Sequence, residues 1–167
     1  MVRNLAERLG SVVRQTQPEE GGVGTRETCL VCQANLVDSE FFDQNRVCPV
    51  CHFHYSMTAR ERIDSVVDPG TFRETNRNVT SVDPLSFSSR VSYKQRLFRD
   101  QRRTGLTEAV VTGTGTIGGS PVVLVVLDFG FMGGSMGCVV GEKVALALEQ
   151  AAAVRDARLT ALARKEQ

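Results

Sequence analysis

The segment CLVCQANLVDSEFFDQNRVCPVC, residues 29–51, contains four of the five cysteines in this chain of 167 residues. They form two Cys-x2-Cys pairs that are fifteen residues apart, a spacing typical of zinc sites with four thiolate ligands. Each pair can direct two sulfur atoms at one point, and two pairs complete a tetrahedron around Zn²⁺ with Zn–S bonds of about 2.3 Å. Because four protein ligands leave no open coordination position, the sequence predicts a structural zinc site formed by Cys29, Cys32, Cys48 and Cys51.

Other uses of these cysteines are less favoured. Two disulfides are disfavoured in the reducing compartment that we expect for a chain without a secretion signal. A redox Cys-x-x-Cys is less favoured still, because the motif occurs twice and without a βαβ context. His52 and His54 could compete as ligands, but four thiolates already fill the coordination shell, so we predict that both lie beside the site or on the surface. Cys138 stands alone in the sequence and is predicted to be a small packed thiol.

Short apolar pieces separated by polar turns lie between the two cysteine pairs, at Leu36-Val37 and Glu40-Phe41-Phe42. We interpret them as strand-like, which favours a zinc ribbon over a helical finger. A ribbon of about 25 residues is too small to bury a core of its own, so metal binding would supply much of its folding free energy.

On the N-terminal side of the cysteines, the stretch 18–24 predicts a flexible link. The start of the chain carries charges where a signal peptide needs its apolar stretch. We therefore expect an intracellular, cytoplasmic protein, with the plastid stroma left open. Residues 2–13 predict a short amphipathic helix, because four apolar residues recur at helical spacing: Leu5, Leu9, Val12 and Val13.

Composition limits the possible classes of protein. A chain with 41% hydrophobic and 23% charged residues is globular. Its 20 basic and 19 acidic residues give a net charge of +1, so overall charge offers no argument for binding nucleic acid or a membrane surface. The longest apolar run, residues 121–127, is far shorter than the roughly 20 residues of a transmembrane helix, and we predict no membrane span.

On the C-terminal side of the cysteines, two helices are predicted. Thr58–Val67 starts with an N-cap candidate, has Glu61 three positions later and ends before Asp68-Pro69-Gly70. A loop-rich segment as far as Ser89 precedes an arginine-rich helix at Tyr93–Arg103. The charge of this helix fits either a solvated face or a surface for an anionic ligand such as a phosphate-bearing cofactor.

The next part of the chain predicts the main core. Glu108–Ile117 reads as a strand, Gly118-Gly119 as a hairpin turn, and Pro121–Asp128 as a continuous apolar strand typical of a buried position. A glycine-rich run, Gly133-Gly134-Ser135-Met136-Gly137, then leads into a helix. The predicted apolar face of that helix is formed by Val140, Val144, Leu148, Ala151, Leu159 and Leu162.

The glycine-rich run, with a strand before it and a helix after it, predicts unpaired backbone N–H groups at one spot. Such groups can hold a phosphate or a developing oxyanion. The run is neither a Walker A loop nor a dinucleotide-binding fingerprint. Taken alone, it fits a plain tight turn equally well.

Several motifs occur together with the glycine-rich run and in a fixed order. In this order they resemble the carboxyltransferase beta subunits of bacterial and plastid acetyl-CoA carboxylase, over about residues 27–150. The motifs are Cys48-Pro49-Val50-Cys51, Met57–Asp64, Asp83-Pro84-Leu85, Tyr93-Lys94, Thr104–Val111, Asp128–Gly137 and Val139–Lys143.

The resemblance implies an α+β fold: a four-cysteine zinc ribbon at 27–55 and a partial crotonase-like (ββα) domain at 56–167, after an N-terminal helix and linker at 1–26. It also implies a beta-type subunit, or the N-terminal half of one, that moves a carboxyl group from carboxybiotin to acetyl-CoA. The product would be malonyl-CoA for fatty-acid synthesis. The implied partners are the carboxyltransferase alpha subunit, the biotin carboxyl carrier protein and biotin carboxylase, with biotin carried on a separate chain.

An enolate oxyanion develops on the thioester carbonyl in that reaction, and preorganised backbone N–H groups stabilise such charge. The resemblance therefore implies that the catalytic groups belong to Gly133 and Gly134. It identifies no substrate-binding residue.

The sequence also departs from the family. Soon after the helix that follows the glycine-rich turn, members of the family carry another strand and a Ser-Gly-Gly-Ala-Arg-type segment. In this chain, residues 151–167 are instead rich in residues that favour a helix. We therefore expect another chain to supply the missing C-terminal half of the beta subunit, and the isolated chain to be inactive. The alternative is a noncatalytic zinc-ribbon module for assembly, regulation or nucleic-acid binding.

Overall fold

The computed structural model describes residues 27–83, 85, 86, 88 and 90–165, with side chains as far as residue 157. The helix predicted at 2–13 and the link predicted at 18–24 lie outside these residues, as do the side chains of Leu159 and Leu162. The described part divides into two compact units, one made of 27–43 with 47–53 and one made of 44–46 with 54–165.

The cysteine-containing segment includes one short helix, α1 (Glu40–Asn45). The prediction of a strand-like piece at Glu40-Phe41-Phe42 is therefore wrong. Ser39 Oγ accepts a hydrogen bond from the Phe42 N–H at 3.3 Å, which is the contact of an N-cap residue, and acidic residues in the first turn favour a helix. Leu36 and Val37 are not in a strand either, although the adjacent Asn35 forms an isolated bridge with Thr28.

The second unit contains helices and one antiparallel sheet, which confirms the α+β class. The helices predicted after the cysteines and the strand pair are all present. Strand β1 lies in a segment predicted to be loop-rich, because three residues are too few to show an alternating pattern. The elements are α2 (Ala59–Val66), β1 (Arg73–Thr75), α3 (Tyr93–Thr104), β2 (Val110–Ile117), β3 (Ser120–Leu127), a 3₁₀ turn at Met132–Gly134, and α4 (Cys138–Lys165).

The start of α2 is fixed by the capping box that the sequence predicts. Thr58 Oγ1 accepts from the Glu61 N–H at 3.2 Å, and Glu61 Oε2 accepts from the Thr58 N–H at 2.8 Å. Arg46 Nη2 lies 2.6 Å from Glu61 Oε1. Burial raises the pKa of Glu61, but the Thr58 N–H and the Arg46 guanidinium outweigh it and hold this pKa below its usual value.

Strand β2 is the centre of the sheet, with β1 and β3 antiparallel on either side of it. The predicted hairpin turn is confirmed, since Gly118 and Gly119 both have positive φ, at 56° and 77°. Asp68 holds this turn: its Oδ1 accepts from the Gly118 N–H at 2.9 Å and its Oδ2 from the Gly119 N–H at 2.8 Å. The Thr116 hydroxyl also donates to Asp68.

These bonds give the hairpin a pH dependence. The Thr116 hydroxyl and the N–H groups of Gly119 and Gly118 lower the pKa of Asp68 in the folded protein. The stabilisation is therefore complete above the unfolded pKa of about 3.9 and is lost as the pH falls through the lower, folded value. We expect Asp68→Asn to lower the melting temperature near neutral pH, with a difference from wild type that shrinks on acidification. Thermal unfolding over a pH series measures this.

A matched variant controls for the change in net charge. Asp64→Asn removes an exposed carboxylate from α2 without touching the hairpin turn. If Asp64→Asn and Asp68→Asn show the same pH dependence of melting temperature, Asp68 does not hold the hairpin.

The core lies where α2 and α4 pack against the sheet. Strand β3 contributes only partly to it, since Val125 remains 39% exposed. The strand predicted at Pro121–Asp128 is present, but the buried position expected for it is wrong: within the described residues β3 pairs with β2 alone. The buried core residues are Ala59, Ile63, Val67, Leu106, Ala109, Val110, Val111, Phe131 and Val140.

Gly113 allows the aromatic ring of Phe72 to pack against β2. A Cβ atom at position 113 would lie 2.5 Å from the Phe72 ring and from the Arg73 carbonyl oxygen. We expect Gly113→Ala to lower the free energy of unfolding by about 1–3 kcal/mol, the usual cost of overpacking. In urea unfolding, Gly115→Ala is the matched control on the same strand, because its Cβ would meet ordinary contacts at 3.4–3.6 Å. Equal stability of the two variants would contradict this packing.

The predicted face of helix α4 is confirmed at its N-terminal end, where Val140 is fully buried and Val144 packs against the core. The prediction is wrong at Leu148, which is 64% exposed, whereas Ala147 is buried. Residues spaced four apart drift around a helix of 3.6 residues per turn, so the buried position moves from 148 to 147. The prediction of a packed Cys138 is also wrong: this thiol is exposed at the first residue of α4, where the next residue, Val139, takes the buried position.

The described helices include no candidate for a membrane-spanning helix. Helix α4 spans 28 residues, but neither it nor any other helix in the described ranges combines the length and apolar composition needed to cross a bilayer.

Candidate functional site

The four cysteines predicted as metal ligands lie together. Sγ of Cys29 is 3.6 Å from Sγ of Cys51, Sγ of Cys32 is 3.6 Å from Sγ of Cys48, and all four sulfur atoms lie within 4.8 Å of one another. A tetrahedral ion with Zn–S bonds of about 2.3 Å places its sulfur ligands about 3.8 Å apart. The four sulfurs therefore fit a single metal ion.

Two equivalent turns place these sulfurs. The Gln33 N–H donates to the Cys29 carbonyl, and the His52 N–H donates to the Cys48 carbonyl, both at 3.0 Å. Gln33 and His52 each have φ of 59°, so the chain reverses in the same way after each cysteine pair. The imidazoles of His52 and His54 are exposed and lie outside the cysteine cluster.

Contacts within the cluster shift the pKa values of two of its thiols. The Cys51 N–H lowers the pKa of Cys48. The Phe53 N–H has the same effect on Cys51, but burial and the other three thiols outweigh it and raise the pKa of Cys51 to about 12. Four thiolates in contact repel one another, and a bound cation removes this obstacle to ionisation.

The glycine-rich turn lies between β3 and α4 in the second unit. Three consecutive residues there have positive φ: Met132 at 47°, Gly133 at 68° and Gly134 at 69°. The Gly134 N–H donates to the Phe131 carbonyl at 2.8 Å. This hydrogen bond closes the turn, and the catalytic role expected of Gly134 stays a prediction.

The two central glycines have different surroundings. At Gly133, an added Cβ would have no heavy atom within 4 Å. At Gly134, a Cβ would lie 3.1 Å from the ring of Phe129, whose side chain is itself 71% exposed. Gly133 is thus the open position of the turn, whereas a Cβ at Gly134 would require the exposed ring of Phe129 to move by a few tenths of an ångström.

A buried carboxylate that the sequence reasoning missed fixes the start of this turn. Asp128 is 4% exposed; its Oδ1 accepts from the Gly130 N–H at 2.8 Å, and its Oδ2 accepts from the N–H of Ala59, the first residue of α2, at 2.7 Å. The carboxylate therefore joins the turn to the N-terminus of α2. An acidic residue directly after a long apolar strand was the available signal.

A buried lysine was missed as well, because it interrupts the apolar face of α4. Lys143 is 1% exposed, and its Nζ donates to Thr107 Oγ1 at 3.3 Å. Burial lowers the pKa of Lys143, and the carboxylates of Glu74 and Glu108 act in the opposite direction. Lys143 thus ties α4 to the polar residues near the start of β2.

The predicted basic helix has an exposed positive face. Its only acidic residue, Asp100, is 6% exposed. The guanidinium of Arg102 lies 5.7 Å from the centre of the Phe98 ring, a cation–π distance. The cationic residues of α3 are all exposed to solvent: Lys94, Arg96, Arg99, Arg102 and Arg103.

Comparison with known proteins identifies the class of protein to which this chain belongs. Residues 54–163 match the family described as carboxyl transferase domain, and the chain belongs to this family. Both the family resemblance stated from the sequence and the partial carboxyltransferase fold are thereby confirmed.

The most similar relatives include beta subunits of one enzyme. The acetyl-coenzyme A carboxylase carboxyl transferase subunit beta of a Thermus thermophilus strain is 42% identical over 147 residues, which are 86% of this chain and 51% of the relative. The chloroplastic subunit of Anthoceros angustus is 45% identical over 129 residues, 77% of this chain and 40% of the relative. The chain therefore spans about half the length of the curated relatives that it matches.

Among solved structures, a transcarboxylase 12S structure with methylmalonyl-coenzyme A bound is 34% identical, with a TM-score of 0.43. The match covers 57% of this chain and 16% of that chain.

Proposed function

We propose that this chain is a beta-type subunit, or the N-terminal half of one, of an acetyl-CoA carboxylase carboxyltransferase. It would take part in moving a carboxyl group from carboxybiotin to acetyl-CoA, giving malonyl-CoA for fatty-acid synthesis. The observation that carries this proposal is the glycine-rich turn at Met132–Gly134, which lies between β3 and α4 in a chain of the carboxyl transferase family.

The chemistry needs a site for negative charge. Removing a proton from the methyl group of acetyl-CoA places charge on the thioester oxygen, and fixed backbone dipoles stabilise such charge most effectively when they need no reorganisation. In this proposal Gly133 lies next to the thioester and Gly134 gives the turn its shape. The exposed positive face of α3 would help to place the phosphates of CoA.

The four-cysteine unit has a structural role in this proposal. Cys29, Cys32, Cys48 and Cys51 would bind one Zn²⁺, and a closed set of four thiolates leaves the ion no position for substrate. The thiolate donors and the spacing of the sulfurs support zinc as the ion.

Partner chains complete the proposed enzyme. They are the carboxyltransferase alpha subunit, the biotin carboxyl carrier protein with its biotin, and biotin carboxylase. The half-exposed apolar strand β3, with Val125 39% exposed, supports a partner over this surface. The bacterial and chloroplastic origins of the relatives support the cytoplasm or the plastid stroma as the location.

Affinity purification from the native cells tests the proposal. The tagged chain is purified gently, its partners are identified by mass spectrometry, and the eluate is assayed for malonyl-CoA formation from carboxybiotin and acetyl-CoA. We expect the alpha subunit and activity in the same fraction. Recovery of the chain alone, or with unrelated partners and no activity, would contradict the proposal and favour a noncatalytic zinc-binding module for assembly, regulation or nucleic-acid binding.

A further inference from the structure

The glycine-rich turn contains a backbone conformation that its own sequence disfavours. Met132 has φ of 47°, in the left-handed region where a side chain crowds the backbone. Glycine tolerates this region, but methionine does not adopt it without support. Such residues persist where the surrounding structure holds them, and they concentrate at functional sites. Contacts from outside the turn must therefore hold Met132 in place.

Asp100 supplies the first of these contacts. It lies on α3, its side chain is 8% exposed, and its Oδ2 accepts a hydrogen bond from the Met132 N–H at 3.0 Å. A carboxylate that accepts from a backbone N–H forms one of the stronger hydrogen bonds in proteins. This bond fixes the N–H of the residue whose φ is unfavourable.

Arg103 supplies the second contact, one helical turn after Asp100. Its Nη2 lies 3.2 Å from Asp100 Oδ1 and also donates to the Gly130 carbonyl oxygen. The two side chains thus hold the loop on both sides of Phe131, at Gly130 and at Met132. The Asp128 carboxylate also reaches α2, whereas Asp100 and Arg103 connect α3 to this loop.

We propose that Asp100 and Arg103 are positioning residues for the carboxyltransfer reaction. They fix the Met132–Gly134 turn in the conformation that presents Gly133 to the reacting thioester. This inference rests on the proposed function and adds to it the side chains that preorganise the turn.

Two readouts test the inference. The first is hydrogen–deuterium exchange of the full chain, in which we expect Asp100→Ala and Arg103→Ala to speed exchange in a peptide that covers residues 129–134. The second is carboxyltransfer by the complex reconstituted with each variant. We expect kcat to fall by about 10- to 100-fold, because a catalytic group displaced by about 1 Å can cost about 100-fold in rate. The KM for acetyl-CoA should stay unchanged in Asp100→Ala, which removes no residue of the positive face of α3. Asp100→Asn should recover part of the loss, because its amide oxygen can still accept from the Met132 N–H.

Matched controls separate positioning from general loss of charge or stability. Asp64→Ala and Arg62→Ala remove exposed charges of the same signs from α2, and both should leave exchange and kcat unchanged. If Asp100→Ala does not fold, exchange and kcat are measured in Asp100→Asn and Arg103→Ala instead.

The possible outcomes distinguish this inference from the proposed function. Exchange and kcat in Asp100→Ala equal to those in Asp64→Ala would overturn the positioning role. A parallel fall of kcat and melting temperature with no rescue by Asp100→Asn would also overturn it, in favour of a purely structural role. If the wild-type complex shows no carboxyltransfer, the proposed function and the catalytic part of this inference fail together. Faster exchange in the variants would still establish that Asp100 and Arg103 hold the turn.

Discussion

Removal of zinc is expected to unfold the segment from residue 27 to residue 53. Besides the cysteines, the large buried side chains of this unit are Leu36 and Phe42, so it has little hydrophobic core to keep it folded. Structural zinc contributes about 10–16 kcal/mol to peptides of this kind. Elemental analysis should give one zinc per chain, and a strong chelator should abolish exchange protection in residues 27–53.

Single-cysteine variants refine this test. Cys48→Ser removes a fully buried ligand and should cause the same loss of zinc and of exchange protection as the chelator. Cys138→Ser is the matched control, because this exposed thiol lies outside the cluster and its loss should leave one zinc bound. A carefully purified chain with no bound zinc would contradict the four-thiolate site.

Replacement of Gly134 by valine is expected to abolish activity of the assembled complex. A β-branched residue at φ of 69° is strained, and its Cβ would lie 3.1 Å from the Phe129 ring. The exposed Phe129 ring can move aside, but the backbone strain displaces the turn, and a displacement of about 1 Å at a catalytic group can cost about 100-fold in rate. Steady-state kinetics of the complex measure the loss, and zinc content should stay unchanged.

A second glycine provides the control for backbone strain. Gly119 has φ of 77°, but an added Cβ would have no heavy atom within 4 Å, and the residue lies in the β2–β3 hairpin. Gly119→Val should lower the melting temperature while the complex keeps most of its kcat. Unaltered turnover in Gly134→Val would remove the glycine-rich turn from the catalytic site.

The sequence predicted features whose cause is local. The cysteine spacing alone predicted the cluster of four thiols, since two Cys-x2-Cys turns need only meet to form it. The start of α2 followed from Thr58 and Glu61, three residues apart. The hairpin followed from Gly118-Gly119, because two residues of positive φ connect antiparallel strands.

Features that depend on long-range contacts were predicted less well. Strand β1 exists because its residues pair with β2, about forty positions later in the chain. The helix at Glu40–Asn45 replaced a predicted strand because Ser39 caps it and Phe42 is buried, and apolar spacing over so few residues does not distinguish the two.

The sequence by itself therefore determined the family, the cluster of four cysteines and the order of the main helices and strands, because each of these depends on residues close together in the chain. Only the tertiary structure decided how the glycine-rich turn is held. The carboxylates of Asp100 and Asp128 are distant in sequence from some of the backbone groups that they bind, at Met132 and Ala59. Such bonds form only after α2, α3 and the sheet have packed, and no local pattern of residues encodes them.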